Sequence, residues 1–205
     1  IIPLALFATE IENTFERDAM MSRIVSNLNE EIAYPNSTDP YETMAFLLRR
    51  NEIADSSPEV IALIHKILFL IFDPYVRLTG LCDLADLFTR LHKTEDSRHV
   101  LEEVEKDLEI LDSGYHKVLV LSYLASSYSQ IDMEIAEKNL ARAIQHLDDT
   151  EFDKDAHARR QVIKAIVRFN TIHPEARWST TALQIAEKIR DPAEYADSLL
   201  SIYRM

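Results

Sequence analysis

The chain has 205 residues, only two of which are glycine, and a formal net charge of −13 at pH 7. Glycine normally makes up about 7% of a protein, and tight turns and phosphate-binding loops depend on it, so this composition argues against sheet folds and Gly-rich nucleotide sites. The acidic balance argues against a nucleic-acid binder, because phosphate contacts need clustered Lys and Arg side chains. The abundance of Ala, Leu, Glu, Ile and Lys predicts an all-α protein.

The first eight residues are apolar, but the stretch is too short to span a bilayer and no basic region precedes it. We therefore expect neither a membrane segment nor a signal peptide. Cys82 is the only cysteine, which rules out an intramolecular disulfide and favours a reducing compartment. Together these features predict a cytoplasmic protein that meets neither membranes nor nucleic acids.

Helix starts are marked where a capping residue precedes proline, whose missing N–H costs nothing in a first turn. Four such marks occur, at Asp39-Pro40, Ser57-Pro58, Asp73-Pro74 and Asp191-Pro192. Between them the apolar residues recur at helical spacing. We predict helices at 10–33, 40–54, 58–71, 74–91, 96–111, 115–129, 132–147, 155–170, 176–190 and from 192 to the end.

Two apolar signatures recur about every 40 residues. The first occupies positions i, i+3, i+4 and i+7 of one helix face, at Leu81, Leu84, Ala85 and Phe88, at Leu121, Leu124, Ala125 and Tyr128, and at Val162, Ala165, Ile166 and Phe169. The second places small, large and small-to-medium residues on the alternate helices, at Ser97, Leu101 and Val104, at Ala136, Leu140 and Ala143, and at Ser179, Leu183 and Ala186. We expect paired helices that approach closely, with Ala85 and Ala125 at tight crossings.

These signatures resemble those of the tetratricopeptide family of helix–turn–helix repeats, although the period here exceeds that family's length of about 34 residues. The resemblance implies an α-solenoid, a right-handed superhelix of stacked antiparallel helix pairs. We predict one helical-repeat domain over 1–205, with repeats at 39–72, 73–111, 112–151 and 152–190 and partial repeats at 1–38 and 191–205. Because residues 191–205 look like a first helix without its partner, we expect the chain to belong to a longer array.

The resemblance also implies a groove lined by first-helix residues that neighbour the packing positions. Carried over by position, and extended to two nearby cations, the candidate binding residues are Arg49, Asp86, Ser122, Ser126, Arg160, Lys164, Arg168 and Asn170. They do not reproduce the lysines and asparagines with which that family clamps a peptide carboxylate. The groove pattern therefore predicts a protein or peptide partner without naming it.

Three of these candidates, Arg160, Lys164 and Arg168, repeat at i, i+4 and i+8 in an otherwise acidic chain. Stacked like charges destabilise a helix by about 0.2–0.5 kcal/mol per pair, so opposite charges are expected nearby. They are either acidic residues of neighbouring helices, such as Asp148 and Asp149, or an acidic segment of a partner. The sequence leaves both alternatives open.

Catalytic and metal-binding patterns are weak. His92, Glu95 and His99 could share one side of a helix and offer a metal site, but the stretch lies between two repeat helices, where solvated polar residues are expected. Cys82 lies beside an apolar helix face with no cationic neighbours, which indicates a packed thiol. We predict no cofactor and no enzymatic activity.

The pattern favours a non-catalytic module for protein–protein interaction or scaffolding. Two alternatives stay open: an all-α small-molecule sensor or enzyme, and a regulatory repeat region of a larger multidomain protein. A deep pocket with convergent titratable groups would favour the sensor or enzyme, whereas a continuous open groove would favour the interaction module.

The terminal segments generate a first testable expectation. Apolar residues without repeat neighbours occur at Ile1, Ile2, Leu4, Phe7, Leu199, Ile202 and Tyr203. Uncovered apolar faces promote association, so we expect the chain to self-associate through its ends. Light scattering at rising protein concentration checks this, and a mass that stays monomeric at the highest concentration would contradict it.

Overall fold

The computed structural model describes residues 15–16, 19–20, 22–23, 26, 58–69, 71–148, 155–174 and 178–203. Within these residues the regular structure is helical and contains no strand, which confirms the all-α prediction for this part of the chain. The α-helices are α1 (Pro58–Leu68), α2 (Pro74–Arg90), α3 (Thr94–Asp107), α4 (Gly114–Tyr128), α5 (Met133–Leu147), α6 (Asp155–Ile172), α7 (Ser179–Ala186) and α8 (Pro192–Tyr203), and a 3₁₀ turn spans Leu108–Ile110.

Two proline-marked helix starts are capped as predicted. The Oδ1 atom of Asp73 accepts a hydrogen bond from the Val76 N–H at 3.1 Å, and Asp191 Oδ1 accepts one from the Glu194 N–H at 2.9 Å. These bonds satisfy backbone donors that have no partner within the helix itself. The marks at Asp39-Pro40 and Ser57, and the helix predicted at 40–54, lie outside the described residues.

Contacts between Cα atoms divide the chain into two compact units, Ile1–Val100 and Leu101–Met205. In the first unit, α1 packs against α2. A Cβ atom added to Gly80 of α2 would lie 2.6 Å from Leu68 Cδ2 of α1, so the two helices are in close contact at this glycine. The buried side chains of α2 include all four residues of the first signature in this repeat.

Ser97 fixes the first turn of α3 against α2. Its buried Oγ atom lies 2.8 Å from the carbonyl oxygen of Ala85 and 2.9 Å from Thr89 Oγ1. Such a contact with a helix backbone is possible because Ala85 and Ser97 are both small. The predicted tight crossing at Ala85 is therefore confirmed, and a buried hydroxyl contributes to it.

The turn between α2 and α3 contains a left-handed residue, His92, with φ of 59°. The His92 N–H donates to the Thr89 carbonyl at 3.0 Å, and the Lys93 N–H donates to the Phe88 carbonyl at 2.9 Å. This is the Schellman pattern, in which glycine is the usual left-handed residue. Because α3 begins only at Thr94, His92 shares no helix face with Glu95 and His99, contrary to the arrangement that a metal site required.

In the second unit, each helix packs mainly on the next one or two helices along the chain. Thus α4 packs on α5 and α6, α5 packs on α6, α6 packs on α7 and α8, and α7 packs on α8. The first-signature residues of α4 and α6 are all buried, as predicted. Since α6 contacts α4, α5, α7 and α8, it lies at the centre of this unit.

The second signature is confirmed in α3 and α5, but in α7 only its third residue, Ala186, is buried as predicted. Leu183, predicted to pack, is 40% exposed, and Ser179 is also exposed. The buried stripe is instead Ala182, Ile185, Ala186 and Ile189, which also has the spacing i, i+3, i+4 and i+7. The α-helix ends earlier than predicted because the Lys188 and Ile189 N–H groups donate to carbonyl groups three residues back.

The apolar C-terminal residues are not equivalent. Ile202 is covered by the chain's own helices, whereas Tyr203 is 87% exposed. The apolar residues at the N-terminus lie outside the described part. Self-association through the ends stays a prediction.

The crossing at Ala125 provides a test of the packing. Ala125 is fully buried in α4, so Ala125→Leu should overpack the seam and lower the free energy of unfolding by about 1–3 kcal/mol. Ala141→Leu, at an exposed position of α5, makes the same change in helix propensity and should be nearly neutral. Urea unfolding of both variants checks the difference, and equal midpoints would show that the crossing is not tight.

Candidate functional site

The predicted groove residues fall into three groups in the structure. Arg49 lies outside the described residues. Asp86, Ser126, Arg160 and Arg168 are partly exposed, and Lys164 is exposed. Ser122 and Asn170 are buried.

The two buried candidates belong to the helix packing. The hydroxyl of Ser122 donates to the Val118 carbonyl at 2.7 Å, and Asn170 Nδ2 donates to Ser179 Oγ at 3.2 Å. The position beside the packing stripe was expected to face an open groove, but the Ser122 side chain is buried. These two residues therefore cannot be part of an accessible surface.

The accessible candidates of α6 form one row together with His157, which was not among the predicted residues. His157, Arg160, Lys164 and Arg168 follow the spacing i, i+3, i+7 and i+11, which keeps them on one side of the helix. We call these four residues the α6 row. None of them is among the first-signature residues that fill the core.

Arg160 is paired with an acidic residue of a neighbouring helix. Its Nη1 atom lies 2.7 Å from Glu194 Oε2 in the first turn of α8, and both side chains are about 30% exposed or less. The internal-pairing alternative is thus confirmed for Arg160, although the partner is Glu194 rather than Asp148, which pairs with Lys188 at 3.3 Å. At partly exposed sites such a pair is worth about 0–1 kcal/mol.

The geometry of this pair leaves hydrogen-bonding capacity unused. Neither Arg160 Nε nor Glu194 Oε2, both buried atoms, has a hydrogen-bond partner among the described residues. The 2.7 Å contact is therefore an ion pair in which the guanidinium N–H groups do not point at the carboxylate oxygen. A well-aligned guanidinium–carboxylate pair would form two parallel hydrogen bonds.

Lys164 lies one turn further along α6. It is exposed, and no acidic side chain within the described residues pairs with it. The middle of the α6 row therefore presents an unneutralised ammonium group to solvent.

An aromatic pair lies at the N-terminal end of the row. The ring centroids of Tyr115, in α4, and His157, in α6, are 6.3 Å apart, and the His116 ring lies 5.4 Å from that of Tyr115. Burial raises the pKa of the Tyr115 hydroxyl. These rings give the cationic row an apolar end.

The pKa of His157 is lowered from its usual value of 6.5. Burial is the main cause, and the positive charges of Arg160 and Lys164 add to it, while the Glu194 carboxylate opposes it. The imidazole is therefore mostly neutral at neutral pH. The arrangement as a whole can attract a carboxylate and contact an apolar group beside it.

Elsewhere in the described residues, nothing assembles a reactive or metal site. The Cys82 thiol is buried, and its pKa is raised well above the usual value by burial and by the negative charges of Asp83 and Asp86. The burial confirms the prediction of a packed thiol. The raised pKa also keeps the thiol protonated and therefore unreactive, because the thiolate is the reactive form. Within the same residues, no group of three or more His, Cys, Asp or Glu side chains could hold a metal ion.

No protein-family model, curated protein or solved structure matches the chain. Among the helices that the structure describes, none is both long and apolar enough to cross a lipid bilayer.

Sequence reasoning missed Tyr115, His157 and Glu194. Extending the cationic row by one turn toward the N-terminus of its helix would have found His157, since the spacing continues at i−3. Glu194 stands in the first turn after the Asp191-Pro192 mark, where an acid is expected for the helix dipole alone. Nothing in its sequence position distinguishes that role from a contact with Arg160.

The lowered pKa of His157 predicts a pH effect on stability. As the pH falls below 6.5, the unfolded chain takes up the proton before the folded chain does, so stability is lost between 6.5 and the lower folded pKa. His157→Gln should therefore lose less stability than the wild type between about pH 7.5 and about pH 5.5. Urea unfolding at the two pH values checks this, and parallel losses would contradict it.

Proposed function

We propose that the chain is a non-catalytic protein-interaction module, built as a tetratricopeptide-like α-solenoid of stacked helix pairs. The packing of each helix on the next one or two helices supports this arrangement, because repeats bury their faces on their neighbours. A recurring polar contact supports it too. Thr89 contacts Ser97 at 2.9 Å between α2 and α3, and Asn170 contacts Ser179 at 3.2 Å between α6 and α7.

The observation that carries the interaction function is the exposed cation in the middle of the α6 row. Lys164 takes no part in the core, and it stands beside Arg160, whose own partner is poorly aligned. Adjacent like charges on a helix reduce its stability. A surface that keeps them exposed is best explained by a partner that supplies opposite charge.

We also propose that the protein is located in the cytoplasm. A single buried cysteine suits a reducing cytoplasm.

Affinity capture with charge-reversed variants tests the proposal. The wild type, Lys164→Glu and Lys138→Glu would be used as baits in the same lysate, with Lys138 as the control because it is an exposed lysine of α5. We expect a partner that the wild type and Lys138→Glu recover and that Lys164→Glu loses. Its recovery should also fall as the salt concentration rises.

Thermal melts of the three proteins complete this test. Lys164→Glu removes the repulsion between Lys164 and its neighbour Arg160, so this variant should melt no lower than the wild type, and a loss of capture would then report the surface rather than the fold. If Lys138→Glu and Lys164→Glu lose the same proteins, or if no capture depends on Lys164, the α6 row is not the interaction surface.

A further inference from the structure

We infer that the α6 row binds an extended acidic segment of a partner protein, and that Glu194 stays paired with Arg160 until a carboxylate of this segment replaces it. This inference rests on the proposed function and specifies the chemistry of its partner. It depends on the spacing of two cations, on the geometry of the Arg160–Glu194 pair and on the charge of the rest of the chain.

The spacing of the row selects an extended segment. An α-helix rises about 1.5 Å per residue, so Arg160 and Lys164 stand about 6 Å apart along α6. In an extended chain, alternate side chains point the same way and are spaced by about 6.7 Å. A segment with an acidic residue at every second position therefore places one carboxylate at Arg160 and the next at Lys164.

The Arg160–Glu194 pair is arranged so that another carboxylate can improve on it. Arg160 Nη1 approaches Glu194 Oε2 at 2.7 Å without a hydrogen bond, and the buried Nε has no hydrogen-bond partner in the described part of the chain. An incoming carboxylate can bind a guanidinium through two parallel bonds. Glu194 thus behaves as an internal competitor that neutralises Arg160 in the free protein.

The surroundings of the row favour a short acidic peptide over a nucleic acid. Residues 153–190 contain eight Lys or Arg against four Asp or Glu, whereas the chain as a whole carries −13. Outside this stretch of sequence the chain is strongly acidic, so a long polyanion, whose affinity depends on many phosphate contacts, would meet mostly negative side chains. A short segment can bind within the positive region alone.

The aromatic pair adds a preference next to the charges. His157 lies one turn before Arg160 on α6, and its ring centroid is 6.3 Å from that of Tyr115 in α4. An apolar or aromatic side chain adjoining the acidic residues of the segment would pack on these rings. The expected partner sequence is therefore acidic at alternate positions, with an apolar residue at one end.

Fluorescence anisotropy with synthetic probes tests the inference directly. The main probe is a labelled peptide in which glutamate alternates with serine and one terminal residue is phenylalanine. A peptide with the same number of glutamates placed at every third position, a lysine–serine peptide and a single-stranded RNA serve as comparisons, because glutamates three residues apart in an extended chain do not share one side. The alternating peptide should bind most tightly, and its affinity should fall with added salt. Tighter binding of the RNA or of the peptide with glutamate at every third position would overturn the inference.

Two variants test whether the Glu194 carboxylate competes with the peptide for Arg160 or only supports the fold. Glu194→Gln removes the competing carboxylate, so the alternating peptide should bind roughly threefold more tightly, whereas Lys164→Glu should weaken binding about tenfold. Glu187→Gln and Lys138→Glu make the same chemical changes at exposed positions outside the row and should leave the affinity unchanged. Unchanged or weaker binding by Glu194→Gln would show that Glu194 does not compete.

The probe ranking on the wild type requires no variant, so the inference stays testable even if the Glu194→Gln protein folds poorly. The two proposals can also fail separately. If Lys164 governs the capture of a partner while the wild type binds no acidic peptide, the interaction module stands and the acidic-segment inference is wrong.

Discussion

The packing of helices around small, fully buried side chains is the constraint on which the rest of the structure depends. Ala85 in the first unit and Ala125 in the second are fully buried, and neither adds side-chain bulk beyond a methyl group. Larger neighbours on the same face can then fill the space between the helices at the density of a protein interior. In the second unit this packing surrounds α6 with four helices and leaves the α6 row at its accessible side.

Polar groups complete the crossings instead of weakening them. Ser97 is fully buried, yet its hydroxyl lies within hydrogen-bonding distance of the Ala85 carbonyl and of Thr89. A buried hydroxyl without a partner would cost about 1–3 kcal/mol, so these contacts remove a penalty and also fix the register of α3 against α2. Asn170 and Ser179 make a similar contact between α6 and α7.

The sequence predicted the helices well because their starts are local. An Asp-Pro pair carries both the cap and the first turn, and the side-chain carboxylates of Asp73 and Asp191 accept their hydrogen bonds from N–H groups only three residues away. The first signature was equally predictable, since a regular apolar stripe has one buried side. The second signature failed in α7 because Leu183 and Ile185 lie on different faces of a short helix, and only the neighbouring helices decide which face is covered.

The candidate site was predictable only in part, for a related reason. The cations of α6 are visible as a spacing within one helix. Tyr115, however, comes from α4, which precedes α6, and Glu194 comes from α8, which follows it. Ser122 shows the reverse case, in which a suitable position was correctly placed along the helix but is buried by the helix packing around it. Contacts between helices, rather than patterns within them, decide both outcomes.

Cys82 gives the first unit a built-in chemical probe. Its thiol is buried in α2, and burial together with Asp83 and Asp86 keeps it protonated. A thiol-specific reagent can therefore modify Cys82 only when the packing around α2 opens and the pKa returns toward its usual value. The rate of labelling under native conditions would then report the opening free energy of this unit alone, because the sequence contains no second cysteine to contribute a signal.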